Sequence, residues 1–231
     1  MNGNSGAHHA WVERDDVKGL RTRSLVWTRR KLTPRQHAFL QGDDKHHVYR
    51  VKTGHLRLYA TLSDGRRQII GFKSPGDFVA LETGPKHRYS AQAISAAELQ
   101  SIGAAEFYAA FGADPDMMLK LYRLVCGELS QAHDLIVTMG KRDAEESVAA
   151  FLLGVDGRAM DRAARSEFVA LPMLHADVAD YLGLTNETVS RIFTNFKKRG
   201  LVEVRGRHDV RLVNRRTLRA IAERSPRKRQ A

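Results

Sequence analysis

Cysteine is almost missing from this chain. The single one among 231 residues, Cys126, excludes an intramolecular disulfide framework and any zinc or iron-sulfur site held by several thiolates of one chain. Long apolar runs are missing too. No stretch approaches the roughly 20 residues that cross a bilayer as a helix, and the opening MNGNSGAHHAWVERDD lacks the apolar segment of a secretory signal. A cytoplasmic protein without membrane contact is expected. No nucleophile, base and orienting group stand together. His46 and His47 make a poor metal site, because adjacent strand residues point to opposite faces and no His-x-His with a following Glu appears. No catalytic residue, metal or cofactor is therefore expected, and a cupin-like metalloenzyme is the weakest of the alternatives.

Basic charge is abundant. The net charge is +12, and residues 171–231 hold 14 Lys and Arg against 6 Asp and Glu, a surplus of eight. An anionic partner is implied, with the C-terminal quarter as its footprint. The apolar content of 42% suffices for a core, and the chain divides into two halves.

Residues 1–25 are polar and aperiodic, an arm. A period of two follows, with strands expected at Val48–Val51, Leu56–Leu62 and Gln68–Phe72, and a further strand pair in YSAQAISAAELQSIG. KTG, SDG and KSPGD read as turns, Asp64-Gly65 being the strongest hairpin signal. Short strands at this spacing predict an antiparallel barrel or roll over residues 26–113.

The period turns helical at Asp114, a candidate N-cap with Pro115 at the first helical position. Met118, Tyr122, Val125, Leu129, Ala132, Ile136 and Met139 alternate at intervals of four and three, a coiled-coil seam. Met117, Leu121 and Leu124 form a second stripe. Residues 114–142 are thus read as a dimerisation helix that covers the roll with one side; the alternative is a long helix packed only on its own domain. Cys126 adjoins the seam, where a small apolar role competes with redox sensing. Asp143 and Glu146 resemble a capping box for a helix carrying Val148, Phe151 and Leu152. GVDGRAMDRAARSEF reads as a polar connector closing the segment 143–170.

Residues 171–231 carry a helix-turn-helix signature. Val178 and Leu182 face inward, Gly183 permits a tight turn, and Thr185 caps a second helix whose Val189, Ile192, Phe193 and Phe196 lie at i, i+3, i+4 and i+7. The other side shows Asn186, Glu187, Ser190, Arg191, Thr194 and Lys198, beginning where a recognition helix meets base edges. Arg donates to guanine, Glu accepts from cytosine, and Ser is permissive. Glu187, Ser190 and Arg191 are the candidate base readers. Candidate backbone contacts are His175, Thr185, Asn186, Thr188, Thr194, Lys197 and Lys198, with Arg205 and Arg207 on an expected two-stranded wing that also carries His208. The alternative is that Glu187 merely favours the helix dipole and pairs with Arg191 on a solvated face. Arg199 is expected to add general attraction, as is the tail RSPRKRQA.

DVADYLGLTNETVSRIF resembles the helix-turn-helix of the Crp/Fnr transcription regulators, and Glu187, Ser190 and Arg191 match the Glu-x-x-Ser-Arg pattern of the Fnr and FixK branch. DGRRQIIGFKSPGDFVAL and GKRDAEESVAAFLL resemble the roll and helical junction of FixK-like members. The resemblance implies an α+β chain: an N-terminal antiparallel β-roll like a cyclic-nucleotide-binding jelly roll, a long dimer helix and a C-terminal winged helix. It also implies a homodimer on a palindrome resembling TTGAT-N4-ATCAA, with Arg191 on guanine, and an activator that meets RNA polymerase. Two departures stand out. The four-cysteine cluster of Fnr cannot form here. The Gly-Glu and Arg-Ser/Thr steps of cyclic-AMP binders are Gly76-Asp77 and Tyr89-Ser90, with Arg88 displaced by one residue, which turns that side chain to the other face. A regulator without cluster or cyclic nucleotide is expected, an unidentified effector in the roll being the alternative.

Overall fold

The computed structural model describes residues 26–160, 168–206 and 209–223. Eight strands form the N-terminal half: β1 (Thr28–Leu32), β2 (His37–Phe39), β3 (His47–Thr53), β4 (Leu56–Thr61), β5 (Arg67–Lys73), β6 (Phe78–Val79), β7 (Ser90–Ala93) and β8 (Ala97–Gly103). They make two antiparallel sheets, ordered β1-β8-β3-β6 and β2-β7-β4-β5, and close a roll around Val51, Leu56, Leu58, Ala91, Ala93 and Leu99. Alternation drives the closure: in β4, Leu56 and Leu58 are buried while Arg57 and Tyr59 are only partly so. The expected Asp64-Gly65 turn joins β4 to β5, with Leu62 N–H donating to Arg66 O at 2.8 Å and Gly65 in the left-handed region at φ 82°.

The two strands expected in YSAQAISAAELQSIG are present as β7 and β8. They belong to different sheets: β7 lies between β2 and β4, whereas β8 lies between β1 and β3. The chain crosses from one sheet to the other at Ile94-Ser95-Ala96, and neither strand pairs with its sequence neighbour.

The helix α1 (Ala104–Ala113) follows, stacking Phe107 on Phe111 with centroids 4.2 Å apart. α2 (Pro115–Lys141) is 27 residues long. Asp114 caps it, Oδ1 accepting from Asp116 N–H at 2.9 Å and Met117 N–H at 3.2 Å. Met117, Leu121 and Leu124 pack on the cluster Val48, Phe78, Ile102, Phe107 and Phe111. The other stripe, Met118, Tyr122, Val125, Leu129, Ala132, Ile136 and Met139, is exposed throughout the single chain.

α3 (Ala144–Met160) opens on the expected reciprocal cap: Asp143 N–H donates to Glu146 Oε2 at 3.0 Å, and Glu146 N–H to Asp143 Oδ1 at 2.9 Å. It continues through Met160, so the first part of the expected polar connector is helical. Burial of Asp156 explains the extension: a bidentate pair with Arg215, at 2.8 and 2.9 Å, satisfies this carboxylate among apolar neighbours. Beyond it come β9 (Val169–Ala170), α4 (His175–Leu182), α5 (Asn186–Lys198), β10 (Val202–Arg205), β11 (Asp209–Leu212) and α6 (Arg215–Ala222). The wing is three-stranded, not two-stranded: β9 pairs with β11 through Val169 and Val210. One core unites this half, from Val148 and Leu152 of α3 to Leu218 and Ile221 of α6.

Candidate nucleic-acid interface

Two local devices build the reader. Gly183 ends α4 at φ 68°, and Leu184 N–H donates to Ala179 O at 3.0 Å, so the chain reverses within three residues. Thr185 then starts α5, its Oγ1 accepting from Thr188 N–H at 3.2 Å and donating to Thr188 Oγ1 at 2.9 Å. Val189, Ile192, Phe193 and Phe196 are buried together. Burying each contributes about 1.5–3 kcal/mol, which fixes the rotation of the helix about its axis.

That rotation decides what faces outward. Asn186, Glu187, Arg191, Thr194, Lys197 and Lys198 are exposed, and Ser190 is half-buried beside them. Glu187, Ser190, Arg191, Thr194, Asn195 and Lys198 line a shallow open hollow of about 450 Å³. Glu187 and Arg191 form no ion pair with one another among the described residues; both present their charges to the hollow. Glu187 sits in the first turn of α5 and Lys197 and Lys198 in its last, each sign complementing the helix dipole.

Other expected contacts are placed differently. The His175 ring lies over Phe193, centroids 4.5 Å apart, and its Nδ1 is 3.1 Å from Ser190 Oγ. Burial lowers its pKa from the usual histidine value, so a neutral ring meets the Ser190 hydroxyl. Thr188 is half-buried and spends its backbone N–H on the cap. Arg199, expected to add general attraction, is exposed and bonded to Glu145 Oε1 of α3 at 2.5 Å. Arg205 is exposed at the end of β10, 4.6 Å above the Phe168 ring. Arg207, His208 and the tail lie outside the described residues, as does the arm 1–25. Asn195, not among the expected contacts, also lines the hollow. Met139, assigned to the seam, also reaches the reader: a Cβ on Gly183 would lie 3.1 Å from its Cε.

In the roll, Asp77 is buried and accepts from Ser74 N–H through Oδ2 at 2.8 Å. Arg88 is exposed, while Tyr89 packs on the roll core. Tyr89 donates to Glu82 Oε2 at 2.8 Å, and His87 Nδ1 lies 2.9 Å from Glu82 Oε1. His87 stacks on Phe39 at 3.7 Å. Burial, with the charge of Glu82, pushes the Tyr89 hydroxyl pKa up, so it remains a donor. His46 and His47 are exposed. No group of three or more His, Cys, Asp or Glu able to hold a metal occurs among the described residues, and no helix among them is long and apolar enough to cross a membrane.

Comparison with known proteins places these features. Residues 146–221 match the Crp-like helix-turn-helix domain and residues 29–114 the cyclic nucleotide-binding domain. The chain is 43% identical to the nitrogen fixation regulation protein FixK of Bradyrhizobium diazoefficiens over 72% of this chain and 70% of that protein. It is 39% identical to the transcriptional activatory protein AadR of Rhodopseudomonas palustris, over 74% and 72% respectively. The solved structure of FixK2 from Bradyrhizobium japonicum superposes with a TM-score of 0.80 at 37% identity, covering 87% of this chain and all of that one. Its relatives are regulators, not enzymes, and the chain belongs to the Crp/Fnr family of transcription regulators, in the FixK-like branch.

Proposed function

We propose that this regulator is a homodimeric activator that reads a palindrome resembling TTGAT-N4-ATCAA through Glu187, Ser190 and Arg191, without iron-sulfur cluster or cyclic nucleotide. The observation that carries the reading is the split of α5 into a buried apolar face and an open hollow lined by those three side chains. A carboxylate facing DNA is repelled by phosphate unless a base donor offsets it, and cytosine N4 is such a donor. Lys197, Lys198 and Arg205 supply sequence-independent attraction.

The exposed stripe of α2 supports the dimer. Seven seam residues at coiled-coil spacing face solvent in the single chain, and their burial against a second copy repeats the reader about a two-fold axis. Independence from cyclic nucleotide rests on the roll. Tyr89 occupies the inward position that a phosphate-binding arginine would need, Arg88 is turned to solvent, and Asp77 is already bonded to the Ser74 turn. The activator role is carried over from AadR, a transcriptional activatory protein, and entails contact with RNA polymerase.

The test is binding of the purified protein to the palindrome and to base-substituted duplexes, with and without cyclic AMP. Selective binding without added nucleotide is expected. Equal affinity for every sequence would sink the reading, and a requirement for cyclic AMP would sink its effector-free part.

A further inference from the structure

The roll and the reader meet through four charged side chains. Arg57 of β4 donates from Nη1 to Asp177 Oδ1 at 2.5 Å. Arg67, the first residue of β5, donates from Nε to Asp180 Oδ2 at 3.0 Å and from Nη2 to Asp177 Oδ1 at 3.3 Å. Beside them Gln68 Nε2 donates to Asp180 O at 2.7 Å. Asp177 and Asp180 belong to α4, the first helix of the helix-turn-helix. The Asp177 side chain is only 2% exposed, and its other oxygen accepts from Leu174 N–H at 3.3 Å, capping α4. A buried carboxylate is costly unless paired, so Asp177 is accommodated where it lies only while the roll's arginines stand against it.

The roll side holds both guanidinium groups in place. Arg57 also donates from Nε and Nη2 to Gln92 Oε1, at 2.9 and 2.5 Å, and Gln92 is its cross-strand partner on β7. Gln92 Nε2 in turn donates to Arg35 O at 2.7 Å. The Arg67 guanidinium lies 5.5 Å from the Tyr59 ring centroid, and the Tyr59 hydroxyl is 2.8 Å from His37 Nε2. The linkage is thus anchored in all four strands of one sheet, and an apolar contact of Phe72 with Tyr181, centroids 5.4 Å apart, flanks it.

We propose that Arg57 and Arg67 are positioning residues for DNA recognition: they fix the reader's orientation on the roll, so that the two readers of a dimer are presented at the half-site spacing without a ligand. This rests on the reading of the protein as a dimer on a palindrome. Two half-sites are engaged one helical turn apart, and once the first reader is bound the second binds intramolecularly. Its effective concentration is highest when the separation is already correct and falls as the readers spread over other separations. A single half-site places no demand on that geometry.

The test uses the full-length protein in three forms besides wild type: Arg57→Gln with Arg67→Gln, Asp180→Arg alone, and Asp180→Arg with Arg67→Asp. Affinity is measured for the palindrome, for palindromes with one central base pair added or removed, and for a duplex with one half-site; dimer mass is checked alongside. The Gln pair and Asp180→Arg are expected to lose on the order of tenfold on the palindrome, to discriminate less between spacings, and to bind the single half-site as wild type does. The exchanged pair restores the 67–180 charge pair while Arg57 alone holds Asp177, and is expected to regain palindrome affinity in part relative to Asp180→Arg; no recovery at all overturns the proposal. Unchanged palindrome affinity and spacing preference overturns the proposal. So does an equal loss on the single half-site, which would reduce the arginines to supports of the α4 cap. A wild-type protein that gains nothing from the second half-site overturns the paired-reader reading and this proposal with it.

Discussion

His175 Nδ1 lies 3.1 Å from Ser190 Oγ, joining the first residue of α4 to the middle of α5. The ring is held against Phe193, so the Ser190 hydroxyl is oriented from the side by a residue whose backbone begins the preceding helix. His175 is thus coupled to the outward side of α5 through Ser190.

Acidification should weaken this arrangement. Burial lowers the His175 pKa below the ordinary 6.5, so between the folded and unfolded values the unfolded chain binds more protons and stability rises with pH. The stability that His175 holds in its neutral form is present above about pH 6.5 and is lost as pH falls toward its lower folded value. His37, lowered by burial and by Arg57, contributes with the same sign in the roll. His175→Gln should flatten the decline of thermal stability below pH 6.5 without abolishing it. An unchanged pH profile in that variant would show that the ring is not desolvated as the packing on Phe193 implies.

Readers and clamps should separate. Glu187→Ala or Arg191→Ala is expected to lose about 1–3 kcal/mol of discrimination at particular bases. Lys197→Ala should weaken every sequence alike and reduce the salt slope by about one. Affinities on a panel of single-substitution duplexes at two salt concentrations distinguish the two; identical behaviour of both classes would contradict the division.

The seam should be separable from the fold. Leu129 is 54% exposed in the single chain, so Leu129→Glu leaves the protomer's own packing intact and places a carboxylate in the proposed two-fold contact. Sedimentation should show a folded monomer, and palindrome affinity should fall by on the order of 100-fold toward that of one half-site. A dimer of unaltered mass would assign the exposed stripe to another partner.

Features set by neighbours in the chain were the legible ones. Asp64-Gly65, the Asp114-Pro115 start, the Asp143 and Glu146 cap and the apolar face of α5 are all specified within eight residues, and each is found as expected. Distant pairing was not legible. The two strands in YSAQAISAAELQSIG are legible, but not that Ala93 and Ala97, four residues apart, belong to different sheets of the roll. The third wing strand exists because Val169 pairs with Val210, and nothing in a two-residue strand announces this. The pairs of Arg57 and Arg67 with Asp177 and Asp180 span more than 100 residues; in the sequence they are unremarkable surface charges. α1 was missed because its Phe107 and Phe111 pack on the roll and on each other, leaving a short segment with little polar contrast between its faces.

Gly183 gives the sharpest test of the turn itself. At φ 68° it occupies the left-handed region, which costs an ordinary L residue about 1–2 kcal/mol, and an added Cβ would stand 3.1 Å from Met139 Cε. The methionine terminus can give way at little expense, so backbone conformation should dominate. Gly183→Ala is expected to destabilise the reader by about 1–2 kcal/mol in chemical denaturation, and Gly183→Asn, which tolerates the left-handed region, by less. Met139→Ala tests the other term: if it restores Gly183→Ala to wild-type stability, the cost lies in the contact with the dimer helix and not in the turn. An Asn variant as unstable as the Ala variant would point the same way, because both side chains add the same Cβ but only one is at ease with the backbone.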